Sequence, residues 1–248
     1  TPLLLIEVPG QSNETFLLYG HLDKQPEMEG WWDGFGPWTP IIKDQKMYGR
    51  GGADDGYALF ASIAALKALA EQGLPHPRIV SLIEFSEESG SPDLPVYLEA
   101  YQDIIGEPDL VVALDSGAGD YERLWSTTSL RGMLSCSVRV DVLSEATHSG
   151  IASGLVPSSM RFMRQLLDRL EDSMSGKIRL QDLHADIPPQ RLEQARHAAD
   201  ILGEQMFDGM NVVDGLKPVV TDPYEQLLNT TWRPTLCVVG QEGMPAIK

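Results

Sequence analysis

The chain has 248 residues, of which 42% are hydrophobic and 22% charged, which suits one large globular domain or two modest ones. Its formal net charge of −17 argues against nucleic acid and against an anionic membrane surface as partners. No stretch reaches the roughly 20 apolar residues that a membrane-spanning helix needs. The opening residues lack the basic flank of a signal peptide. Cys136 and Cys237 show no CxxC spacing, so a reduced, cytoplasmic protein without a disulfide scaffold is expected.

Read in chain order, Leu3 to Val8 and Phe16 to Gly20 are strands separated by the turn-forming Gly10-Gln11-Ser12-Asn13. The Gly-, Pro- and Trp-rich segment from Gly30 to Pro40 is a loop, followed by a short strand over Lys46-Met47-Tyr48. Asp55 to Gln72 is Ala-rich with apolar residues at helical spacing, and Gly73 stops it. Arg78 to Phe85 reads as a buried strand, Leu94 to Ile105 as a helix, and Leu110 to Leu114 as another buried strand. This alternation predicts an α/β domain over residues 1–129, with a mostly parallel sheet and flanking helices.

After residue 130 the pattern changes. Met133 to Leu143 alternates apolar and polar residues, as a half-exposed antiparallel strand does. Pro157 to Leu170 is an amphipathic helix with Met160, Met163, Leu166, Leu167 and Leu170 on one face. Arg191 to Leu202 predicts a second helix and Pro234 to Val239 a last strand. Residues 130–248 are therefore expected to form a smaller α+β domain, incomplete at its C-terminal side. No internal repeat or low-complexity segment interrupts either part.

The candidate chemistry lies at strand ends. His21 and Asp23 follow one strand, Glu87 and Glu88 follow a second, and Asp115 follows a third. In parallel α/β sheets, sites form at the carboxyl ends of strands. Asp54 sits where the Gly-rich segment 49–56 meets the long helix. So many carboxylates in one place repel each other and favour protonation unless a cation neutralises them. Nitrogen and oxygen donors suit zinc, with manganese or cobalt as substitutes. Structural calcium fits poorly, because His21 is among the donors and no Asp-x-Asp-x-Asp-Gly loop is present.

The motifs Tyr-Gly-His-Leu-Asp at 19–23, Tyr-Gly-Arg-Gly-Gly-Ala-Asp-Asp-Gly at 48–56, Phe-Ser-Glu-Glu-Ser-Gly at 85–90, Ala-Leu-Asp-Ser-Gly at 113–117 and Thr-His-Ser-Gly at 147–150 run through the chain in order. Together they resemble the zinc-dependent family of dipeptidases, carnosinases, glutamate carboxypeptidases, aminoacylases and desuccinylases. The resemblance implies a metal-dependent hydrolase with two divalent ions. His21 and Asp115 would serve the first ion, Asp54 would bridge, and Glu88 would bind the second. Glu87 would be the general base, and Asp23 would orient His21 through its other ring nitrogen. The peptide between Asp54 and Asp55 would be cis. Asp rather than Glu at position 115 is similar to the dipeptidase branch.

In the smaller domain, His148 resembles a lid histidine that stabilises a tetrahedral oxyanion, reaching a neighbouring subunit's site in that branch. Arg233 resembles a lid arginine that pairs with a substrate carboxylate. The resemblance thus implies a small peptide substrate and a homodimer through the lid. N-acyl amino acid deacylation or desuccinylation, and an inactive metal-binding or dimerisation fragment, remain as alternatives. His76, His184 and His197 match no motif.

Two departures stand out. The family's Asp-Asp-Lys-Gly reads Asp54-Asp55-Gly56-Tyr57, so its lysine is absent. The family's last metal ligand is a histidine near the C-terminus of a longer chain, whereas His197 is the last histidine present. The second metal is left with Asp54 and Glu88, and the chain is expected to be a fragment, short at both ends.

Overall fold

The computed structural model describes residues 1–244. Two compact units are present, Thr1–Ala118 and the residues from Gly119 onward.

The first unit is built on a four-stranded sheet of β1 (Leu3–Val8), β2 (Thr15–His21), β5 (Arg78–Glu84) and β6 (Leu110–Ala113), in the order β1-β5-β2-β6. β2 runs parallel to both β5 and β6, while β1 is antiparallel to β5. A two-stranded hairpin of β3 (Ile41–Lys43) and β4 (Lys46–Tyr48) stands apart from this sheet. β5 is flanked on both sides, and residues 79–84 are all buried, as its run of branched residues requires. Leu17, Val80, Leu82 and Ile105 form the core, with Leu3, Leu5, Tyr19 and Leu94 packed against it.

Helix α1 (Tyr57–Glu71) crosses from β4 to β5 and packs on β2. Its N-terminus comes so close to the sheet that a Cβ on Gly20 would lie 2.5 Å from Ala58 Cβ and 2.7 Å from Asp55 Oδ2. Only glycine permits that approach. Gly73, at φ +64°, ends the helix as expected.

Two local expectations need correction. The helix foreseen over Leu94–Ile105 divides into α2 (Leu94–Ala100) and α3 (Gln102–Ile105). Tyr101 leaves helical geometry at φ −113°, ψ 17°, and Ile105 beyond it is buried in the core. β6 is not a buried strand but lies at the sheet edge, so Leu110 and Val111 are exposed.

The second unit is helical. It contains α4 (Ser149–Ala152), α5 (Ser159–Leu170), α6 (Pro189–Leu202), α7 (Gln205–Asp208) and α8 (Pro223–Thr231). α6 packs against α8, with Ala195, Ala199 and Leu228 buried and the Arg196 guanidinium 4.3 Å from the centre of the Tyr224 ring. The strands expected over Met133–Leu143 and Pro234–Val239 are not formed. Among the described residues this unit has only an isolated bridge, Glu171 with Ile178. Alternation specifies which face a strand buries, but a ladder also needs a neighbour. Among the described residues neither segment is paired into a ladder, and Met133 and Val239 stay more than nine-tenths exposed.

Candidate active site

The sheet register places the candidate residues. His21, the last residue of β2, sits beside Glu84, the last of β5. Tyr19 pairs with Ala113, so Asp115 emerges from the same end of β6. Beyond β5, the Glu87–Ser89 stretch forms a single 3-10 turn closed by Gly90 at φ +87°. Three neighbouring strands therefore deliver their side chains to one sheet edge.

His21 is the buried centre of the cluster. Its Nε2 lies 3.1 Å from Asp54 Oδ1, 3.7 Å from Asp115 Oδ1 and 3.8 Å from Glu87 Oε2. Its Nδ1 lies 3.3 Å from Asp23 Oδ1 and 3.2 Å from the Asp23 carbonyl oxygen. The Asp23 carboxylate also accepts from the backbone N–H groups of Glu87 (3.2 Å) and Glu88 (3.0 Å). Asp23 thereby holds both the imidazole and the Glu87-Glu88 turn.

The Asp54–Asp55 peptide bond is cis. Asp54 faces His21, while buried Asp55 accepts the His21 backbone N–H at 3.0 Å. The ligand atoms of His21, Asp54 and Glu88 all lie within 4.8 Å of one another, and so do those of His21, Asp55 and Asp115. These nitrogen and oxygen donors fit a divalent cation.

Several supporting residues escaped the sequence reading. Gln25 Nε2 donates to Glu88 Oε2 at 2.5 Å. Buried Glu84 accepts from the hydroxyls of Tyr19 (2.5 Å), Ser91 (2.8 Å) and Ser86 (3.2 Å), tying β2 and β5 to the turn that carries Glu87. The repeated acid at 54–55 was a signal for Asp55, but spacing alone gave none for Glu84 or Gln25.

His148 and Arg233 belong to the second unit. His148 caps α4, its Nδ1 accepting the Gly150 N–H at 3.1 Å. Arg233 Nη1 donates to Glu225 (2.6 Å) and Asn229 (2.9 Å) on α8. His76 and His184 make local contacts with the carbonyl oxygens of Pro77 and Ile178. Cys136 and Cys237 are free and exposed. Among the described residues no helix is long and apolar enough to cross a membrane.

The electrostatics follow from this crowding. Burial pushes the Asp55 carboxyl up to about 6, against the His21 N–H bond that lowers it, and Asp115 adds to the rise. Glu87 and Asp115 are likewise raised by burial, partly offset by His21. Burial pulls the His21 imidazole down, but Asp115, Glu87, Asp55 and Asp23 outweigh it, and the net shift is upward.

All four shifts favour the protonated forms, so the folded metal-free state holds protons more tightly than the unfolded chain. Their contribution to stability is complete below the ordinary carboxylate range of about 4. It is lost as pH rises through the folded values, near 6 for Asp55. The Tm of the chain in chelator is therefore expected to fall from pH 4 to about 7. Zinc requires deprotonated ligands, so its stabilising increment should grow over the same window. Thermal unfolding across pH, with and without zinc, checks this, and a metal-free Tm that rises through the window contradicts it.

A family model described as peptidase family M20/M25/M40 matches residues 17–227. The human Beta-Ala-His dipeptidase is 30% identical over 250 aligned positions, covering 98% of this chain and 48% of that protein. The Cys-Gly metallodipeptidase dug1 of Schizosaccharomyces pombe is 28% identical over 241 positions, 94% of this chain and 49% of that protein. The chain spans about half the length of these curated relatives. Among solved structures, the di-peptidase Dug1p of Saccharomyces cerevisiae superposes with a TM-score of 0.61 at 23% identity, covering 100% of this chain and 52% of that one. An M20 family metallo-carboxypeptidase of Sulfolobus solfataricus gives 0.66 at 20% identity, with 56% of that chain covered. These likenesses agree with a mixed α/β fold whose sheet is mostly parallel, and the match over residues 17–227 is decisive: the chain belongs to peptidase family M20/M25/M40.

Proposed function

We propose that this chain carries the catalytic centre of a metal-dependent dipeptidase. The observation that carries this reading is the placement of Glu87: its Oε2 is 3.8 Å from His21 Nε2, beside a donor set in which Glu88 joins His21 and Asp54. A purely structural metal site has no use for a further carboxylate beside its ligands.

His21, Asp54 and Asp115 would hold one divalent ion, and Asp54 and Glu88 a second, with zinc as the preferred metal and manganese or cobalt as substitutes. Divalent ions held there would lower the pKa of a water molecule from about 15.7 toward 7 and would polarise the scissile carbonyl. Glu87 takes the proton of that water and delivers it to the leaving amine. Asp23 fixes the imidazole of His21 and, through the backbone of Glu87 and Glu88, the position of the base.

Residues 130–248 serve as the lid and dimerisation domain, and the working protein is a homodimer in a reducing, cytoplasmic compartment. His148 stabilises the oxyanion and Arg233 binds the substrate carboxylate, exchanging its partner Glu225 for the ligand.

The two curated relatives described above, whose matches cover 98% and 94% of this chain, are dipeptidases, which favours a peptide over an N-acyl amino acid as substrate. A panel of dipeptides and N-acyl amino acids, assayed with zinc, manganese and cobalt, tests the assignment. Higher kcat/KM on dipeptides is expected. A preference for N-acyl amino acids would move the chain to the deacylases, and two tightly bound ions without turnover would make it a non-catalytic metal-binding module.

A further inference from the structure

The Lys24 charge acts on Asp55, but its ammonium makes no hydrogen bond among the described residues. The chain has 36 acidic against 19 basic residues, yet the Lys24 ammonium is buried without a hydrogen-bond partner. It follows Asp23 directly and acts electrostatically on Asp55. Gly51 leaves room for its stem. A Cβ on Gly51 would lie 1.8 Å from Lys24 Cδ, so the lysine stem fills the space a side chain would take, and the φ of +71° there favours glycine. A Cβ on Gly56 would lie 3.5 Å from Lys24 Nζ.

Gly51 and Gly56 also bond to each other, the Gly56 N–H donating to the Gly51 carbonyl at 2.8 Å, so the lysine lies along the loop that presents Asp54 and Asp55.

The charges around it have one dominant sign. Asp23, Asp54, Asp55, Glu87, Glu88 and Asp115 gather about His21, and Asp55 Oδ1 is itself buried without a hydrogen-bond partner. Without metal, these carboxylates repel one another, and a buried ammonium offsets part of that repulsion. With divalent ions present, the same ammonium repels the metal. Its contribution to stability thus depends on the state of the site.

We propose that Lys24 is a positioning residue, the resident counter-cation that holds the Gly51–Gly56 loop and its Asp54-Asp55 pair in place until divalent ions bind. The proposal rests on the metal-site reading above, and its test separates the two. Lys24→Met keeps the unbranched stem and deletes the charge. In chelator, the Tm of this variant is expected to fall by about 4–8 °C, and with saturating zinc by less than half as much. Competition with a chromophoric chelator is expected to show zinc bound at least as tightly as in the parent chain, because a like charge has been removed. A zinc-bound Tm loss as large as the metal-free one, up to a variant that folds in neither state, overturns the proposal and leaves Lys24 a packing residue. No Tm loss in either state also overturns it. A parent chain whose own Tm zinc does not raise would instead refute the metal-site reading.

Discussion

Glu87→Gln is expected to lower kcat on a dipeptide by about a thousandfold, with zinc content unchanged. General base catalysis is worth roughly 10²–10⁴-fold, and glutamine keeps the shape of the side chain while losing the ability to accept the proton. Glu87 stands outside both sets of residues whose ligand atoms converge within 4.8 Å, so its amidation leaves those sets intact. Its backbone N–H still donates to Asp23, so the turn remains in place. Removing the Glu87 charge relieves its repulsion with Asp115, Glu88 and Asp23 while giving up its attraction for His21. Metal analysis beside steady-state kinetics decides the matter. Loss of zinc in proportion to activity would make Glu87 a ligand, and retention of activity would remove it from the mechanism.

Asp54→Ala carries the second large effect. Its side chain is 64% exposed, so its removal leaves no buried hole, and the metal-free chain should keep its stability within about 0.5 kcal/mol. Zinc affinity is a different matter. Asp54 touches His21 Nε2 at 3.1 Å and belongs with His21 and Glu88 to one convergent donor set. As the proposed bridge it serves both ions. Loss of an outer partner of a metal ligand costs 10–100-fold in affinity, so loss of a bridging ligand should exceed about 100-fold. Calorimetric titration with zinc reads that loss directly, and turnover should vanish with it. A variant that binds two equivalents as tightly as the parent chain would remove Asp54 from the centre.

These expectations are strong because the site is written in the sequence as strand ends. His21, Glu87 and Asp115 each follow a short apolar run, and parallel pairing of β2 with β5 and β6 brings those ends together. Asp54 was legible from its Gly-rich approach to α1. The residues that support the site were harder to see. Glu84 reads as the polar end of a buried strand, and its three hydroxyl partners come from positions 19, 86 and 91, which no local spacing connects. Lys24 is unremarkable in sequence, and the space its stem fills is left by Gly51, 27 residues further along the chain.

The second unit shows a different limit. The helices expected over Pro157–Leu170 and Arg191–Leu202 form over Ser159–Leu170 and Pro189–Leu202, because helical spacing acts locally, and the second starts earlier than expected, with proline in its first turn. The segments 133–143 and 234–239 carry strand alternation but pair with no strand among the described residues, and Met133, Leu134, Val238 and Val239 are left exposed. Pattern specifies the face, while pairing depends on what lies beside it.

Anomalous difference density from crystals soaked in zinc tests the central claim most directly. The predicted result is zinc at about 2.0–2.2 Å from His21 Nε2 and from carboxylate oxygens of Asp54 and Asp115, with Glu87 beside the ion but not bound to it. Density elsewhere in the molecule, or a zinc held without His21 and Asp54, would contradict it.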